Sequence, residues 1–111
     1  MITLRSPLEV EPDPRGGWQL VFWVGSAFDL TTPFRSILGD IVESLGLDPQ
    51  NDLKLPMREA GEDFVEGTFQ FGAVPIRVYF EHSLSYLALM SDNELTLRDL
   101  VARVQPNVTV V

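Results

Sequence analysis

The sequence predicts an α+β fold: a two-layer sandwich with a mostly antiparallel five-stranded sheet and two helices on one face, in the order β-β-α-β-β-β-α. Three observations carry this. Apolar residues alternate with period two in a first block that ends near Gly25, and again in a block that begins near Phe64. Each block is followed by a segment with a single apolar stripe at helical spacing. Short clusters of turn formers separate the alternating stretches, and short turns join antiparallel neighbours. At 111 residues, 45% of them hydrophobic, the chain is long enough to build its own core. Residues 1–111 are therefore expected to form a single α+β domain.

In the first block Leu8 and Val10, then Trp18, Leu20, Phe22 and Val24, follow the alternation. Glu11 to Gly17 between them is dense in Pro, Asp and Gly. A hairpin over roughly 3–11 and 17–25 is expected. Pro7 and Pro12 lack a backbone donor, so the first strand belongs at an edge or carries a bulge. The second strand is apolar on both faces, because Val21 and Trp23 oppose Leu20 and Phe22, and this suits a central place.

The first helix follows. Thr31 or Thr32 can cap it, and Pro33 fits the first turn, where its missing N–H costs nothing. Phe34, Ile37, Leu38, Ile41, Val42 and Leu45 fall on one stripe, and Gly46 stands where a left-handed cap ends a helix. Residues 47–63 then make a long connector. Leu53, Leu55 and Met57 alternate within it, which allows a short additional edge strand.

The second block gives the sharpest register. Gly72-Ala73 between Phe71 and Val74 suits a two-residue hairpin turn with Gly first. The pairs become Phe71/Val74, Phe69/Ile76, Gly67/Val78 and Val65/Phe80, all apolar or Gly, on the face that must be buried. Gly67 leaves a gap beside Val78 that a bulky neighbour can fill. A second turn at His82-Ser83 pairs Val78 with Leu87 and Ile76 with Leu89 on the core face, and Tyr79 with Tyr86 and Arg77 with Ala88 on the outer face. A four-residue loop is expected to keep that pairing. The second helix starts with Ser91 and Glu94 at capping-box spacing, buries Leu97, Leu100, Val101 and Val104, and stops at Pro106. Val108 to Val111 is a possible short strand.

Charge bounds the partners. Sixteen Asp and Glu oppose eight Lys and Arg, a net charge of −8, and the basic residues are scattered. That argues against nucleic acid and against anionic membranes, and it would steer a basic partner. No apolar run approaches a membrane span, and the start of the chain lacks a secretory apolar region, so the expected location is cytoplasmic. The absence of cysteine removes disulfides, thiol catalysis and cysteine-ligated metals.

No phosphate-binding, zinc-protease, nucleophile-elbow or EF-hand spacing occurs. His82 is the single histidine. Ser83 or Ser85 with Asp92, or the adjacent Glu81, would have to complete a catalytic set, and the turn position favours a solvated loop histidine. Glu59, Glu62, Asp63 and Glu66 form an acidic cluster without a cation-loop spacing, and read as a solvated loop. No enzyme activity, cofactor or metal site is expected.

The outer sheet face is more informative. If both helices cover the Phe69/Ile76/Leu87 face, then Trp23, Arg77, Tyr79, Tyr86 and Met90, with Val21 and Leu84, lie opposite. These residue types are enriched at contact surfaces. Glu66 lies diagonal to Arg77, within ion-pair reach. Two readings of this face stand: a surface for a partner, or sheet residues covered by the 47–63 connector. The function expected is a non-enzymatic protein-interaction module, inhibitor- or antitoxin-like or chaperone-like, with a protein partner or self-association. The alternative is a small-ligand-binding domain with a pocket near Gly67 and the outer face.

Overall fold

In the computed structural model, which describes residues 2–4, 8–23, 34–55, 64–81 and 86–110, both alternating blocks join one six-stranded antiparallel sheet. The elements are β1 (Ile2–Leu4), β2 (Val10–Pro12), β3 (Trp18–Trp23), α1 (Phe34–Ser44), β4 (Leu53–Lys54), β5 (Phe64–Phe71), β6 (Val74–Glu81), β7 (Tyr86–Ser91), α2 (Glu94–Val104), a 3-10 turn over Gln105–Asn107, and β8 (Val108–Val110). The large sheet has the order β2-β3-β7-β6-β5-β4, so the two blocks meet where β3 pairs with β7. The α+β class agrees with the sequence. The count of five strands does not.

The sixth strand of the large sheet is β4, and the expected first strand is split in two. β4 pairs Leu53 with Phe69 and Lys54 with Thr68, so the connector contributes an edge strand. Ile2–Leu4 leaves the expected hairpin and pairs in parallel with β8, in a separate two-stranded sheet. The long first strand expected over 3–11 is therefore reduced to β2. Pro7 stands between the two pieces, and Pro12 ends the second. Asp13 N–H donates to Gly17 C=O at 3.0 Å and closes the β2–β3 turn. Antiparallel alternation then turns the Pro12 nitrogen to the open edge, where no ladder bond is lost.

The β5–β6 register agrees with the sequence pair for pair, from Phe71↔Val74 to Val65↔Phe80. The β6–β7 register is corrected by two residues: Val78 faces Leu89, Tyr79 faces Ala88 and Glu81 faces Tyr86. Residues 82–85 lie outside the described set, and a four-residue connection moves every pair by two. Side-chain period is also two, so each described residue keeps its expected face.

The core lies between the inner sheet face and both helices. Leu20, Phe22, Ile76, Phe80, Leu87 and Leu89 are buried in one cluster with Leu38 and Ile41 of α1 and Leu97 and Leu100 of α2. The cap residues Thr31, Thr32 and Pro33 lie outside the described residues. The end of α1 is a Schellman motif: Gly46, at φ +77°, donates to Glu43 C=O at 2.9 Å, and Leu47 donates to Val42 C=O at 3.1 Å. The cap of α2 is Asn93 rather than Ser91. The Asn93 Oδ1 accepts from Thr96 N–H at 3.2 Å, while the Ser91 Oγ accepts from Asn93 N–H at 3.1 Å. Ser91 is still the last residue of β7, so the chain turns two residues later than the capping-box spacing implied.

Candidate functional site

On the outer face the pleat places Gln19, Val21 and Trp23 of β3 beside Met90, Ala88 and Tyr86 of β7, then Arg77, Tyr79 and Glu81 of β6, then Glu66, Thr68 and Gln70 of β5. Trp23 and Tyr86 are paired residues; their side chains lie outside the described set. The middle of this face is closed. Val21, Ala88 and Met90 are buried in a small cluster with half-buried Tyr79 against it. Met90, expected in an open patch, is 8% exposed. The open part lies over β5 and β6, where Glu66, Gln70, Pro75 and Arg77 are exposed.

Four of the six candidate residues line one groove there. Glu66, Arg77, Tyr79 and Met90 meet Asp13 and Arg15 around a hollow of about 240 Å3. This is smaller than the roughly 300–1,000 Å3 common for small-molecule sites. Gly67 lines the same groove, while the gap that its missing side chain leaves on the inner face is filled by Leu55. A Cβ on Gly67 would collide with Leu55 and stand 2.5 Å from the Lys54 carbonyl oxygen.

The groove owes its shape to the β2–β3 turn. Asp13 is buried, its side chain 2% exposed. Its Oδ1 accepts from Arg15 N–H at 3.0 Å, an Asx turn of the sort Asp favours. The same oxygen accepts from Arg15 Nε at 3.1 Å, and Oδ2 accepts from Nη2 at 3.5 Å. Burial by itself would raise the Asp13 carboxyl. Hydrogen bonds from the Arg15 backbone and side chain, with the positive charges of Arg15 and Arg77, outweigh this and hold it below its ordinary 3.8. So anchored, the arginine reaches over the sheet. Its Nη2 lies 3.2 Å from the Met90 sulfur, and its Cζ stands 5.5 Å from the Tyr79 ring centroid.

The other side of the groove is held more loosely. Arg77 pairs with Asp92 rather than with the expected Glu66, at 3.4 Å, and that carboxylate is 91% exposed. Such a pair is worth little in water. The Tyr79 hydroxyl donates to Glu81 Oε1 at 2.9 Å. Asp13 and Arg15 were missing from the sequence-predicted site. The Asp-x-Arg spacing inside a turn signals the local pairing, but the reach to Tyr79 depends on sheet order.

The catalytic candidates do not assemble among the described residues. Glu81 serves the Tyr79 hydroxyl and Asp92 serves Arg77. His82, Ser83, Ser85, Glu59, Glu62 and Asp63 lie outside the described set. Among the described residues no group of three or more His, Asp or Glu could hold a metal ion, and no helix is long and apolar enough to cross a membrane. Two further hollows contain no candidate residue. One lies between Leu8, Val10 and Val101, and one lies under the exposed Leu95 beside Phe71 and Val74.

No family model matches this sequence, no curated protein matches it, and no solved structure matches it. The site therefore has to be read from its own chemistry.

Proposed function

We propose that this chain is a non-enzymatic protein-interaction module, and that it meets its partner with the open half of the outer sheet face around Tyr79. The observation that supports this is the convergence of Arg15, Glu66, Arg77 and Tyr79 on one shallow groove. Arg and Tyr are the side chains that most often anchor interfaces, because each combines a large apolar surface with directed polar atoms. The hollow is smaller than most small-molecule sites and lies open on one side, which suits a side chain presented by another protein. The net charge of −8 favours a partner of opposite charge through long-range steering. An inhibitor of a basic protein fits this reading best, and a small chaperone fits the same surface.

The test is capture from the native host followed by native mass spectrometry, with the wild type beside Arg77→Glu, Tyr79→Ala and an Arg98→Glu control on α2. A stoichiometric protein held by wild type and control, but lost from the two groove variants at unchanged fold, supports the reading. A partner held equally by all four sinks it, as does a wild-type chain that holds only a small molecule.

A further inference from the structure

We propose that the hollow beneath Leu95 is the seat of a two-fold contact between copies of this chain, in which Leu95 of each copy enters the hollow of the other. This surface shares no residue with the groove around Tyr79, so the proposal goes beyond the partner reading and stands without it. The hollow, about 450 Å3, opens where the chain leaving α1, the β5–β6 turn and α2 come together. Leu47, Phe71 and Val74 line it. They are half-buried and packed on the core below, so they offer a preformed apolar floor. Leu95 stands at its rim, 76% exposed, the one large apolar side chain so exposed among the described residues. The buried residues of α2 are Leu97, Leu100 and Val104, and Leu95 lies off that stripe, so the core does not account for it. A lone exposed leucine is ordinary. What sets this one apart is the hollow beside it.

The charges on the rim choose the occupant. Asp99 and Arg103 line the same hollow and belong to the same helix as Leu95. They stand 3.9 Å apart, beyond hydrogen-bond length, with side chains 60% and 56% exposed. Each can take a better-placed partner. One patch thus carries a knob and a hole, and a carboxylate and a guanidinium. A two-fold axis sets a patch against itself and makes every contact twice. Such a patch complements its own copy: Leu95 fills the facing hollow, and Asp99 of each copy pairs with Arg103 of the other. A partner of one charge sign would meet as much repulsion as attraction at this rim. The patch is small against the roughly 20–30 residues a side of stable complexes, and each copy carries a net charge of −8. The dimer is therefore weak and forms with rising concentration.

Sedimentation equilibrium from micromolar to millimolar concentration tests this. Wild type is expected to pass from one copy to two. Leu95→Glu should weaken the dimer by about tenfold or more, while its melt matches wild type because the side chain is exposed. Asp99→Arg and Arg103→Asp should each weaken it, and the two changes together should restore it, since opposite charges then face one another again. Arg77→Glu, in the Tyr79 groove, should leave it unchanged. In a mixed sample of 13C-labelled and unlabelled chains, filtered NOEs should join the Leu95 methyls to the Phe71 ring across the interface. A wild type that stays a single copy at millimolar concentration overturns the proposal. So does a mass that climbs past two copies, a Leu95→Glu chain that dimerises like wild type, or a double variant no better than the single ones. Each of these results leaves the capture experiment, and with it the reading of the groove, to stand or fall separately.

Discussion

Leu55 occupies the space that a side chain on Gly67 would need, and the Lys54 carbonyl closes the same space from the backbone side. Strand β4 lies against β5 at this point because residue 67 has no Cβ. Gly67→Ala should therefore destabilise the fold by about 1–3 kcal/mol, the range for overpacking a filled site. Adding Leu55→Ala should relieve only part of that cost, since the carbonyl remains. Thermal melts of the two single variants and the double variant measure the coupling. A Gly67→Ala chain as stable as wild type would show that β4 can move away freely.

Among the described residues Tyr79 sets its ring against Val21, Ala88 and Met90, carries the Arg15 group over it, and donates its hydroxyl to Glu81. Tyr79→Phe removes the hydroxyl and with it the bond to Glu81, and should cost about 0.5–1.5 kcal/mol. Tyr79→Ala should cost more, about 2–3 kcal/mol, yet less than a fully buried aromatic, because the ring is half-buried. Denaturant titration of both variants reads the two steps separately.

Asp13 gives the fold a sensitivity to acid. Its folded-state value lies below the ordinary 3.8, so the ionised form is favoured by folding. That contribution is present above about pH 4 and is lost as the pH falls through the lowered value. Asp13→Asn should cost about 1–3 kcal/mol at neutral pH by leaving Arg15 without its carboxylate. The same variant should show a flatter loss of stability than wild type below pH 4. Melts across pH 2–7 decide it, and parallel profiles would reject the assignment.

At the start of α2, Asn93→Ala should cost about 1 kcal/mol through the lost bond to Thr96 N–H. A Ser91→Ala change tests whether the second bond, from Asn93 N–H to Ser91 Oγ, adds to the cap. A melt of Asn93→Ala equal to wild type, with Ser91→Ala reduced, would move the cap back to the residue that spacing alone suggested.

Local signals were read well from the sequence and distant ones were not. The two-residue turn at Gly72-Ala73 ties Phe71 to Val74, and the alternation carries that register to Val65 and Phe80. The helical stripes did the same for Ile41 and Leu97, because burial at i, i+3 and i+4 is a local pattern. Across the 82–85 connection the described strand residues take the faces their alternation implies but pair two residues further on, so Tyr79 meets Ala88 and not Tyr86. Arg15 was invisible as a site residue for a related reason. Its pairing with Asp13 is two residues away, but its contacts with Met90 and Tyr79 exist only once β3 lies beside β7 and β7 beside β6. The departure of Ile2–Leu4 to β8 had no local mark at all.

That last pairing bears on how the chain folds. Ile2 and Val108 are far apart in sequence, so pairing β1 with β8 closes a loop that contains every other element of the fold. Ring closure of such length is entropically costly, and a two-stranded ladder returns few contacts for it. The ladder should consequently zip late on the folding pathway, with mutations in Ile2 or Val108 speeding unfolding and leaving the refolding rate nearly untouched.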